Sequence, residues 1–100
     1  MDHYAALDLL KQYRPTWGQL RDHMMNRYFD NPDSLPATSN VNSAVPIGQA
    51  WDVYDRAIAG RNPDEPVNMM LAGEELLAAN IVRDFGIPLA LLTPDTQGGE

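Results

Sequence analysis

One hundred residues, 44% of them apolar and none a cysteine, amount to one domain-sized chain that holds no disulfide, thiolate metal site or thiol nucleophile. The formal net charge is −7, and it is unevenly spread: Asp2, Asp8, Asp22 and Asp30 cancel Lys11, Arg14, Arg21 and Arg27, so the excess acid falls in residues 31–100. That balance disfavours direct binding to a phosphate backbone, which relies on a basic stripe, and leaves a basic partner or simple solubility.

The first element is a helix over 3–13, with Ala6, Leu7, Leu10 and Tyr13 at helical spacing, Asp2 as N-cap and Pro15 as stop. The same stretch lacks the basic start and unbroken apolar run of a secretory signal. Nothing in the chain approaches the ~20 apolar residues of a membrane span, so a cytoplasmic protein without membrane contact is expected. Thr16 and Gln19 form a capping-box pattern and open a second helix over 16–29. Trp17, Leu20, Met24 and Tyr28 line its apolar face, Met25 and Phe29 widen it, and His23 falls on the polar side. Asn31-Pro32 ends it. Residues 31–46, with three prolines, three serines and three asparagines, carry no helical period and form a long loop, functional or floppy.

A third helix over 47–59 follows, with Ile47, Ala50, Trp51, Tyr54, Ala57 and Ile58 on one side and Gly60 as stop. Since it and the second helix each carry a Trp and a Tyr on the apolar side, they are expected to pack together. Residues 67–85 form the last long segment, apolar on more than one side and therefore central. As one helix it would bury Glu74; the alternative is a break at Gly73 that places Glu74 and Glu75 in an acid-favoured first turn. The run IPLALLT that follows is a strand or a helical turn, periodicity not deciding between them. The predicted fold is therefore all-α: four or five helices in a single domain over 1–94, with a hairpin of 3–13 and 16–29 packed on the other two helices and a disordered tail at 95–100.

Chemistry is sparse. His3 and His23 each follow an aspartate, but neighbours in a helix do not face each other, and both are read as exposed and non-catalytic. Ser34, Ser39 and Ser43 lie in no nucleophile-elbow pattern. No metal-binding or nucleotide-binding motif occurs, so no cofactor or metal is expected. The function that remains is a non-catalytic protein-binding module, an adaptor, inhibitor or accessory subunit, whose partner is another protein or a second copy of the chain. Its predicted contact residues are Ile87, Leu89, Leu91 and Leu92 of the apolar tail, with the acids Asp52, Asp55, Glu74 and Glu75. Those acids also carry the alternative of a nucleic-acid mimic that blocks a nucleic-acid-binding protein; a small enzyme using His23 is the third reading.

Overall fold

The computed structural model describes residues 1–92; the expected domain limit at 94 and the tail at 95–100 lie outside the described residues. Helix α1 spans His3–Tyr13, and its first turn is closed by Asp2, whose carboxylate accepts from the Ala5 N–H at 2.8 Å. Arg14 takes a left-handed backbone conformation, φ 47°, and with Pro15 ends the helix. The capping box at Thr16 and Gln19 forms in both directions and starts α2, Trp17–Met25. The chain then widens into a π-helical turn over Asn26–Asp30, closed by the Asn31 N–H donating to the Asn26 carbonyl at 3.1 Å. Helices α3, Ile47–Ile58, and α4, Ala72–Phe85, follow, and α5, Leu89–Leu92, is a single turn. Among the described residues there is no strand, only isolated bridges at Thr16–Pro66 and Thr38–Pro46.

Helix α4 is the centre, as its many-sided apolar pattern predicts: it packs on α1, α2 and α3. Its Ala78, Ala79, Ile81, Val82 and Phe85 join Ala6, Leu10, Trp17, Leu20, Met24, Ala50, Tyr54 and Ile58 in one core. Each larger apolar side chain fully buried there contributes about 1.5–3 kcal/mol. The expected hairpin of the first two helices is replaced by a different pairing, because α1 lays its Ala6–Leu10 stripe mainly against α4. An apolar helix with several faces offers more burial than the polar flank of α2. The expected packing of the second and third helices is present, with Tyr28 stacked on Trp51 at 5.1 Å between centroids and 10° between planes.

The 67–85 segment begins its helix only at Ala72, which puts Glu74 and Glu75 in the first turn. Before it, the Val67 N–H donates to the Pro15 carbonyl at 3.0 Å, and Glu74 reaches back to accept from the Asn68 N–H at 3.1 Å. Glu74 is half-buried but ion-paired with Arg61 at 3.0 Å, whose guanidinium lies 4.6 Å from the centre of the Trp17 ring. The feared isolated buried carboxylate does not arise.

Residues 31–46 are more ordered than their composition suggests. Pro32–Ser34 form a 3-10 turn, the Ser39 N–H donates to the Val45 carbonyl at 2.8 Å, and the Ile47 N–H donates to the Ala37 carbonyl at 3.0 Å.

Candidate functional site

Three arrangements gather polar or aromatic groups. The first lies under the long loop. Asp84, on the last turn of α4, is only 3% exposed and accepts from the Ser39 hydroxyl at 2.8 Å, the Asn40 N–H at 2.6 Å and the Tyr54 hydroxyl. Ser39 in turn accepts from the Val41 N–H at 2.9 Å. Burial first, and then the bond to the Asp84 carboxylate, push the Tyr54 hydroxyl far above its ordinary pKa of 10.0, so Tyr54 is a neutral donor at physiological pH. With its hydroxyl engaged on a carboxylate and its oxygen accepting backbone N–H groups, Ser39 is a loop anchor and not an activated nucleophile.

The second arrangement closes the end of α4. Gly86 holds φ 84°, ψ −176°, a region open essentially to glycine alone, and turns the chain away from the helix. The Phe85 carbonyl, at the end of the helix, is met by two donors from α2 and its π-turn, His23 Nε2 at 2.8 Å and Arg27 Nη1 at 2.8 Å. A carbonyl only accepts, so Nε2 carries the proton. Burial lowers the His23 pKa, with the Arg27 charge acting the same way and the carbonyl bond opposing both. Arg27 also donates to Ser34, from Nε to the hydroxyl at 2.8 Å and from Nη2 to the carbonyl at 3.0 Å. A groove of about 530 Å³ opens beside them, lined in part by Asp22, Asn26, Pro88 and Leu91. The expectation of an exposed His23 is therefore corrected: it is half-buried because α4 ends against that face of α2.

The third arrangement is aromatic. Phe29 meets Tyr28 at 5.0 Å and Trp51 at 5.3 Å between centroids, edge to face with both, over the stacked Tyr28–Trp51 pair. A side chain at Gly48 would come within 2.9 Å of the Tyr28 hydroxyl, so the bare backbone of α3 admits the Tyr28 ring to the stack. Although α-helical spacing assigned Phe29 to the core face, it is 60% exposed. The π-turn inserts extra chain into the last turn of α2, and the ring is carried outward.

No family model, curated protein or solved structure matches this chain.

The predicted contact residues fall on separate elements, Asp52 and Asp55 on α3, Glu74 and Glu75 in the first turn of α4, and the apolar four just after the end of α4 and on α5. Ile87 is 5% exposed and belongs to the core, and Leu91 packs partly against it, so part of the apolar tail is spent inside the domain. Leu89 and Leu92 lie on the α5 turn, where the Leu91 N–H donates to the Pro88 carbonyl at 2.9 Å; the tail is helical here and not a strand. Three of the four acids are neutralised by arginine: Asp52 with Arg56 at 2.9 Å, Asp55 with Arg21 at 2.7 Å, and Glu74 with Arg61. Glu75 is half-buried.

Sequence reasoning missed the Asp84 anchor, the role of His23 and Arg27, and the exposure of Phe29. One signal was available for the last: Phe29-Asp30-Asn31-Pro32 ends the helix on polar residues and a proline, where regular spacing is least secure.

Proposed function

We propose that the chain is a non-catalytic protein-binding module, an adaptor, inhibitor or accessory subunit, that makes contact through the aromatic cluster of Tyr28, Phe29 and Trp51. The observation that carries this reading is Phe29, more than half in water yet seated on two stacked rings. An aromatic side chain held on a rigid base loses little freedom when a partner covers it, and such residues dominate the centres of protein interfaces. The apolar tail is the weaker candidate, since Ile87 is already buried. The ion pairs at Asp52, Asp55 and Glu74 speak against a nucleic-acid mimic, which needs carboxylates free to replace phosphates. His23 is engaged at the end of α4, which favours a structural use over a catalytic one.

The test is site-specific photo-crosslinking in cells that express the chain. A benzoylphenylalanine placed at position 29 is expected to give a discrete protein adduct, whereas the same group at the exposed Asp64 position gives none. Equal labelling at both positions, or no adduct at position 29, defeats the reading.

A further inference from the structure

Two grooves toward opposite ends of α2 carry opposite charge around apolar centres. The first, about 490 Å³, is lined by Asp22, Met25, Asn26, Phe29 and Asp30. The second, about 230 Å³, is lined by Lys11, Arg14, Asn68, Met69 and Met70, and its Met70 is 89% exposed. Among the described residues, Asp22, Asp30, Lys11 and Arg14 take part in no ion pair, although Arg21, Arg56 and Arg61 are each matched with a carboxylate. Three of the six arginines are thus matched internally, while the acidic and the basic groove keep charges without an ion-pair partner among the described residues. Methionine is an adaptable side chain that packs favourably on aromatic rings, so the apolar centres suit each other as well as the charges do.

We infer that the chain associates with a second copy of itself, the Lys11–Arg14–Met70 groove of one protomer seating on the Asp22–Phe29–Asp30 groove of the other. This inference rests on the reading of the aromatic cluster as a contact surface and names its occupant. Unlike surfaces meet, so a twofold pair makes the contact twice and an open arrangement makes it once per junction. The patches are small beside a standard interface, and the association belongs to the weak, concentration-dependent class. Its charged pairs sit at the rim, where salt screens them.

Sedimentation analysis of the full chain over a range of concentrations tests this. The wild type is expected to gain mass with concentration. Raising the ionic strength from about 0.1 to about 1 M, which shortens the screening length from ~10 to ~3 Å, is expected to weaken that association by about tenfold, as the loss of two exposed ion pairs would. A variant with Asp22→Lys and Asp30→Lys carries two basic grooves, and one with Lys11→Glu and Arg14→Glu carries two acidic ones. Each alone is expected to remain monomeric, and an equimolar mixture to associate again, which also shows that both variants fold.

A wild type monomeric up to about 1 mM, the upper end of the ordinary weak range, overturns the inference. So do variants that associate as the wild type does, or a mixture that stays monomeric. If the wild type is monomeric and position 29 crosslinks to a different protein, self-docking falls while the protein-binding reading stands. If position 29 gives no adduct and the charge-swapped pair fails to associate, both fall.

Discussion

His23 holds its proton on Nε2 for the Phe85 carbonyl, and burial, the largest influence on it, lowers its pKa below the ordinary 6.5. The sign of the consequence follows from linkage. A histidine whose folded pKa is depressed contributes stability that is present above the unfolded value and is lost as pH falls through the folded one. Unfolding followed by urea titration should therefore show stability falling below about pH 6.5, the unfolded histidine value, through a component that His23→Gln removes. At neutral pH the same substitution is expected to cost about 0.5–1.5 kcal/mol, the worth of one hydrogen bond. An identical acid limb in both proteins contradicts this. Neither the burial nor the partner can be read from the neighbourhood of His23 in the chain, since Phe85 lies 62 residues away; local spacing placed the ring on the polar face, and the end of α4 covers it.

At the scale of elements, the second half of the long loop is anchored on a buried carboxylate. Asp84 collects the Ser39 and Tyr54 hydroxyls and the Asn40 N–H, which joins loop, α3 and α4 at one buried point. Asp84→Ala removes the acceptor and strands buried donors, each costing about 1–3 kcal/mol. The expected outcome is release of residues 37–46, read as faster amide exchange and proteolytic cleavage there while α1 and α2 stay protected. Loss of protection spread evenly over the domain counts against a local anchor. The helices themselves were well forecast: the Asp2 cap, the Thr16–Gln19 capping box and the first-turn acids of α4 all form. Such signals act within a few residues and need no tertiary partner. The sequence alone leaves the loop functional or floppy, because the carboxylate that anchors it lies 45 positions away from Ser39.

For the whole molecule, α4 is the element against which the rest is assembled, and Phe85 is its most consequential side chain: fully buried, edge-on to Tyr54 at 6.1 Å, with a carbonyl that anchors α2. Phe85→Ala is expected to cost about 3–5 kcal/mol in urea unfolding, a large share of the roughly 5–15 kcal/mol typical of a domain. Leu76→Ala on the same helix, where Leu76 is 53% exposed, should stay within about 0.5 kcal/mol. Similar losses at the two positions would contradict the central placement of α4. By itself the sequence determined an all-α domain, the cap that starts α2, the stops that end α1 and α4, the central rank of the last long helix and the pairing of α2 with α3. Capping, proline stops and apolar periodicity are local or averaged over a whole element, so they survive without knowledge of the partners. Only the tertiary structure decided that α1 packs on α4, that Asp84 pins the loop, that His23 closes a helix end and that the Phe29 ring is left largely in water. Each of those outcomes depends on which distant group reaches a side chain first, and that is settled by packing.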